Sequence, residues 1–261
     1  MICCENIFYE KIMFKKITGE VIHWKKLGRL LGFRTANMSY TKDDIDDCVY
    51  LVNIVINGEV FRWMWTYMLS KKIFETHIFN FSQDIYGETV EVIILQKIRD
   101  NRKFENLEDL KIQIHKDKIV CENIKMPVLT FWSFDLIHEW HKHYLFEAKK
   151  YGTYLSTVVA SDENIKKIKG ITTHYLLEER VKMLKNLGIS DDVLSGSNIN
   201  PMQWIASIKP SVVCLWYDQR WPFVDKLEDE IKNQSLDTKI IRINSHQPEI
   251  FKSSLLKKKA S

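Results

Sequence analysis

Glycine is scarce in this chain: nine in 261 residues, about 3% where globular proteins average roughly 7%. No low-complexity stretch or internal repeat is present, which excludes repeat and disordered architectures. No apolar run approaches the ~20 residues needed to cross a bilayer. The first residues, with Glu5, Glu10 and only a short apolar stretch, lack a signal-peptide pattern, so a cytoplasmic protein without a membrane partner is expected. Five cysteines (Cys3, Cys4, Cys48, Cys121, Cys214) show no metal-ligand spacing, which argues against zinc and against a disulfide framework. Charge is almost balanced, 38 Lys+Arg against 34 Asp+Glu. Much of the excess is Lys257, Lys258 and Lys259, which read as a solvated terminus, and no nucleic-acid partner is expected.

What is present fits a soluble globular chain: 45% hydrophobic and 28% charged residues supply core and surface without disorder. At this length two domains are the expectation, with the pattern changing between residues 1–124 and 125–261. In the first half, Val49–Ile56 is rich in β-branched and aromatic residues, and Asn57-Gly58 signals a type I′ hairpin returning through Glu59 to Met64. Further strands are expected at Phe74–Phe81 and Thr89–Ile98, and a closing helix behind Asn106. Many short strands with one helix predict a small antiparallel β-barrel.

From Met126, short apolar runs alternate with helical periods, which predicts an α/β, Rossmann-like unit with a parallel sheet. Strands are expected at Val128–Phe134, Tyr154–Ala160, Asp192–Leu194, Val212–Trp216 and Lys239–Ile243. Helices are expected at His141–Tyr151, Glu163–Ile168, Leu177–Leu187, Pro201–Ser207, Pro222–Gln234 and Glu249–Lys258, the two prolines serving as first-turn residues. The first strand runs into Asp135, His138 and His141 and then a helix, the place where open α/β sheets bind ligands. Two histidines three apart beside a helix N-terminus can donate to a triphosphate, although such a pair in isolation is more often coincidence or half of a metal site.

The segments GEVIHWKKLGRLLGFRTANM, CVYLVNIVINGEVFRWMW, ETHIFNFSQDIYGETVEV and KIRDNRKFENLEDLKIQIHKD, in that order, resemble the riboflavin kinase family over nearly the whole first half. The resemblance implies that Thr35 and Asn37, on a Pro-Thr-Ala-Asn-like turn, hold ATP phosphate and Mg²⁺. A hydroxyl and an amide oxygen suit that hard cation. It also implies that Glu75 is the general base toward the riboflavin 5′-hydroxyl, and that Arg99 with Lys103 and Phe104 lies near the flavin. Taken singly, Glu75 reads as a surface residue, Thr35 and Asn37 as a turn, and Arg99 as an exposed charge. Arg34 and Cys48 depart from the family, which has Pro and Gly there.

In the second half the His138-to-His141 segment resembles the His-x-Gly-His loop of the nucleotidyltransferase superfamily. TYLSTVVASDENIKKIKG, LLEERVKMLKNLGISDDVL, IKPSVVCLWYDQ and EIFKSSLLKK are similar to archaeal-type FAD synthetases and glycerol-3-phosphate cytidylyltransferases. That likeness implies that Tyr217 and Asp218 meet the nucleotide base and that Ser253 and Ser254 meet phosphates. Lys169 is a candidate to neutralise phosphate and Asp135 to orient the first loop, against the plain readings of a solvated and a capping residue. Together the two halves imply conversion of riboflavin to FMN and of FMN to FAD with ATP and Mg²⁺. A cytidylyltransferase acting on a small phosphorylated alcohol is the alternative for the second half.

Eight tryptophans accompany the missing glycine. Seven of them (Trp24, Trp63, Trp65, Trp132, Trp140, Trp216, Trp221) stand where the resembled families have glycine or a turn wants it; only Trp204 does not. Two readings follow. In one, UGA codons meaning glycine have been written as tryptophan, and restoring seven would bring glycine to about 6%. In the other, the chain is a degenerate flavin- or nucleotide-binding protein, a reading that Arg34 and Cys48 favour.

Overall fold

Residues 14–22, 34–42, 44–78, 83–196, 201–220 and 224–244 are described by the computed structural model. Two compact units divide the chain, Met1–Ile124 and Lys125–Ser261.

In the first unit, β-branched and aromatic runs build β3 (Cys48–Ile56), buried along almost its whole length, and β4 (Glu59–Met68) around Asn57-Gly58. Both turn residues have positive φ, 49° and 77°, as a two-residue hairpin of the right twist requires. With β1 (Lys15–Ile22), β2 (Arg34–Ser39), β5 (Ile73–Ile78) and β6 (Thr89–Asp100) they form a closed antiparallel barrel in the order β1-β2-β5-β4-β3-β6. One face of each strand fills the barrel. Tyr50, Trp63, Trp65, Tyr67 and Phe74 are buried there, with Trp65 stacked on Phe74 at 3.9 Å between centroids. Helix α1 (Leu107–Asn123) is capped by Asn106, whose side chain accepts from the Asp109 amide at 2.9 Å. It packs on the outside against β4 and β6.

The hairpin and the cap are where the sequence places them, while β4 runs four residues further, to Met68. The strand expected at Phe74–Phe81 is described as far as Ile78. Two strands went unforeseen. Residues 34–37, expected as a turn, lie instead in β2, whose polar sequence has little strand propensity but which is paired on both sides, by β1 and β5. Trp63 and Trp65, expected to be glycine-like positions, are barrel-filling side chains.

The second unit is a parallel sheet in the order β11-β10-β7-β8-β9: β7 (Pro127–Trp132), β8 (Tyr154–Ala160), β9 (Asp192–Gly196), β10 (Val212–Trp216) and β11 (Lys239–Ile243). The helices are α2 (Glu139–Lys149), α3 (Asp162–Lys169), α4 (Leu177–Leu187), α5 (Pro201–Ile208) and α6 (Leu227–Asn233). Three strands and one helix match to the residue: β8, β10, β11 and α4 carry clear periodicity between turn signals. The expected Pro222–Gln234 helix is a 3₁₀ turn, Val224–Lys226, followed by α6, and Glu249–Lys258 lies outside the described residues. The chain runs from β7 outward to β8 and β9, then returns to the other side of β7 for β10 and β11. The strand order therefore reverses between β7 and β10. Ligands of open α/β sheets bind in the crevice that opens at such a reversal, beyond the strands' carboxyl ends.

Candidate functional site

In the barrel, strand register aligns the predicted kinase residues in one row. Asn37 on β2 is opposite Glu75 on β5, Glu75 is opposite Thr66 on β4, Thr66 opposite Val49 on β3, and Val49 opposite Arg99 on β6. Directly opposed residues share a face, and this one is the outer face, the reverse of that carrying Phe74 and Trp65. Beside the row a cleft of about 560 Å³ opens between the barrel and the start of α1, lined by Glu75, Thr66, Lys71, Arg99, Arg102 and Phe104 among others. Burial raises the Glu75 carboxyl above its ordinary range, and Lys71 offsets this only in part.

Asn37 is buried, and its Oδ1 has no hydrogen-bond partner among the described residues. An unpartnered buried oxygen is costly unless something satisfies it, and a hard cation such as Mg²⁺ fits that need. No group of three or more His, Cys, Asp or Glu side chains suited to a metal occurs among the described residues. Thr35 is in register with His77 on β5; its side chain lies outside the described residues.

Arg99 is held rather than free. Its Nε lies 3.0 Å from both Asp117 carboxylate oxygens and its Nη2 2.7 Å from Oδ2, while Nη1 donates to the Asp100 carbonyl at 2.9 Å. The pair ties α1 to β6 and gives the cleft a fixed wall. Phe104 sits under Arg102, with the guanidinium carbon 5.0 Å from the ring centroid. Cys48, where the family has glycine, is buried in the barrel core and donates to Asp100 at 3.3 Å.

In the second unit the loop after β7 carries the expected residues to the β7/β10 crevice. Phe134 is buried with φ 49°, a left-handed turn that bulky residues seldom adopt. His138 caps α2, and its ring lies 4.2 Å from that of His141, centroid to centroid. The His138 amide donates to His141 Nδ1 at 3.4 Å. Burial lowers both imidazoles, His141 to about 3 with His138 and Lys169 adding to the effect, so both are neutral at physiological pH. Asp135 Oδ1 accepts from the amides of His174 (2.6 Å) and Tyr175 (3.2 Å), which fastens the segment before α4 to this loop. Lys169 donates to Ser133 Oγ at 3.3 Å and lies 4.8 Å over the Trp132 ring. From the β10 side come Tyr217, half-buried, and Asp218, exposed. Ser253, Ser254, Trp24 and Trp221 lie outside the described residues.

Two residues that sequence reasoning missed hold this edge together. Arg180 on α4 is fully buried; it donates to the carbonyls of Ser133, Ala160 (2.9 Å) and Tyr175 (3.1 Å) and to Asp162 at 2.6 Å. Nothing in LEERVKM distinguishes it from a solvated arginine. Gln219 is buried too: its amide nitrogen donates to the Phe131 carbonyl and its oxygen accepts from the Trp216 amide, both at 3.1 Å, joining β7 to β10. A glutamine three residues past the end of a buried strand was the available signal.

A riboflavin kinase family model matches residues 13–125, and a cytidylyltransferase-like family model matches residues 129–259. A bifunctional riboflavin kinase/FMN adenylyltransferase of Haemophilus influenzae is 41% identical over 110 residues, 39% of this chain and 36% of its own length. This chain thus spans about a third of that relative. FAD synthases of Methanohalobium evestigatum and Methanosarcina barkeri are 36% and 34% identical, over 49% and 44% of this chain and 83% and 81% of their own lengths. With one model covering half of the chain and FAD synthases matched over most of their length, the chain belongs to the cytidylyltransferase-like family in its FAD synthase branch, joined to a riboflavin kinase domain.

Proposed function

We propose that this chain makes FAD from riboflavin in two ATP-dependent steps, with residues 1–124 as the kinase and 125–261 as the adenylyltransferase. The observation that carries the reading is the joining of these two families in one chain, since the product of one is the substrate of the other. In the first step the Glu75 carboxylate accepts the proton of the riboflavin 5′-hydroxyl as that oxygen attacks the γ-phosphorus of ATP and ADP departs. Asn37 and Thr35 would hold Mg²⁺, which when bound neutralises charge on the phosphates. The Arg99–Asp117 pair and Phe104 wall the flavin cleft.

In the second step an FMN phosphate oxygen attacks the α-phosphorus of ATP and pyrophosphate leaves. His138 and His141, being neutral, can each donate one ring N–H to the triphosphate while the start of α2 offers backbone N–H groups. Lys169 neutralises phosphate, Asp135 orients the loop, Tyr217 and Asp218 face the base, and Ser253 and Ser254 contact phosphates. Among the described residues no helix is long and apolar enough to cross a membrane. We place the protein in the cytoplasm, where the free buried thiols of Cys48, Cys121 and Cys214 stay reduced.

Incubation with riboflavin, Mg²⁺ and ATP, followed by separation of the flavins, tests each half by its own product. FMN is the expected product of the first unit; a folded chain that leaves riboflavin unchanged overturns the kinase assignment. FAD is the product of the second wherever its nucleotide site is open to ATP. Incorporation of CMP from CTP into a phosphorylated alcohol, with FMN ignored, would instead establish the cytidylyltransferase. Trp140 favours a second reading, a nucleotide site that is present but shut.

A further inference from the structure

The crevice at the β7/β10 reversal is occupied by the chain itself. Trp140 is the second residue of α2, where a helix turns its unpaired N–H groups outward. Its indole is not in solvent. It is 6% exposed and packs between the two sides of the crevice: 6.3 Å from the His138 ring, 5.6 Å from Trp216 and 6.5 Å from Tyr217. Trp216, the last residue of β10 and also 6% exposed, packs in turn on Tyr144 at 5.0 Å and Tyr217 at 5.6 Å. Trp132, the last residue of β7, holds Lys169 over its ring. Two indoles thus stand at the ends of the strands that flank the reversal, and a third on the first turn of α2.

The fit of Trp140 is poor in one respect. Its Nε1–H is buried with no partner among the described residues, a costly condition. Trp204 on α5 has the same defect, so the orphaned N–H alone does not single out Trp140. Position does. Trp204 lies on the helix packed over the sheet, whereas Trp140 lies between His138 and the base-side residue Tyr217. None of the described tryptophans has positive φ, so no backbone torsion calls for glycine at these positions. What the crevice lacks is room.

Resting on the nucleotidyltransferase reading above, we propose that Trp132, Trp140 and Trp216 plug the nucleotide site of the second unit, and that its working form carries glycine at all three positions. A nucleoside triphosphate is the ligand excluded. Glycine at 140 would leave the α2 amides and the neutral histidines bare toward the phosphates. Glycine at 216 would open the base side beside Tyr217, and glycine at 132 would release Lys169 from the ring beneath it. The scarcity of glycine in the chain points the same way. Trp63 and Trp65 are outside the proposal, because they fill the barrel core.

The test compares the written chain with the Trp132→Gly/Trp140→Gly/Trp216→Gly variant. Calorimetry reads ATP and CTP binding, flavin separation reads FMN and FAD, and circular dichroism confirms folding. The expected result is nucleotide binding to the second unit, and FAD from supplied FMN, in the variant alone, with affinity at least about tenfold above the written chain. FAD made equally well by the written chain would overturn the plug and leave the nucleotidyltransferase reading standing. No FAD, no CMP transfer and no added nucleotide binding by the folded variant would sink that reading along with the plug. Should the triple variant fail to fold, Trp140→Gly alone, in the first turn of a helix, is put through the same comparison. The codons give an independent check: UGA at 132, 140 and 216 with UGG at 204 supports the proposal, and UGG at all four overturns it.

Discussion

Glu75 sits between two strands, opposite Asn37 on one and Thr66 on the other, and burial holds its carboxyl above the ordinary range. A proton acceptor must be ionised, so the raised value moves the acid limb of the kinase pH profile up toward neutrality. Replacing it with glutamine should lower kcat for FMN formation by about 10²–10⁴ while riboflavin still binds; rates within a few-fold of the parent would remove Glu75 from the mechanism. Stability should move the other way. A carboxyl with a raised folded value contributes stability at low pH that is lost as pH rises through that value. Glu75→Gln should therefore equal or exceed the parent in urea midpoint at pH 8, with the difference shrinking by pH 4.

His141 carries the opposite sign. Its folded value, about 3, lies below the ordinary 6.5, so the unfolded chain takes up a proton that the folded chain refuses. Stability is fully present above about pH 6.5 and declines as pH falls toward 3, by up to ~1.4 kcal/mol per pH unit from this group. Urea titration of the second unit across pH 7 to 5 measures it. In His141→Gln that slope should flatten; an unchanged slope would mean that the imidazole does not stay neutral in the fold.

At the scale of elements, Arg180 shows what keeps the crevice in shape. It is one side chain bonded to the carbonyls of Ser133 after β7, Ala160 at the end of β8, and Tyr175 before α4. Arg180→Leu leaves three carbonyls and Asp162 without it and should destabilise the second unit by about 3–5 kcal/mol, read from its denaturant midpoint. Lysine, a point donor, should recover only part of the loss. The strut was not legible in the sequence, because the Ser133 and Ala160 carbonyls it reaches are distant in the chain and leave no pattern, and the Gln219 bridge to Phe131 is hidden for the same reason. The elements themselves were legible wherever periodicity and turn chemistry agreed: the hairpin at Asn57-Gly58, the cap at Asn106, and β8, β10 and β11. β2 was not, since its strand character comes from closing the barrel rather than from the polar residues Arg34–Ser39, and β1, with Ile17 and Val21 on its buried face, went unforeseen too. The same holds of the row joining Asn37 to Glu75. Resemblance named both residues, but only strand register sets them opposite each other.

For the whole molecule, two units with separate cores and separate families imply two activities that fail separately. Glu75→Gln, combined with glycine at 132, 140 and 216, should make no FMN from riboflavin yet convert supplied FMN to FAD at the rate of the glycine-bearing parent. His138→Ala in that parent should do the reverse, accumulating FMN from riboflavin and forming little FAD. Both follow because the base lies in the barrel row of the first unit and the histidines at the sheet's reversal in the second. Measuring both products from both substrates in each variant decides the matter. If Glu75→Gln also lost FMN adenylylation, the second site would depend on the first for more than its substrate, and the chain would be one coupled catalyst rather than two enzymes in sequence.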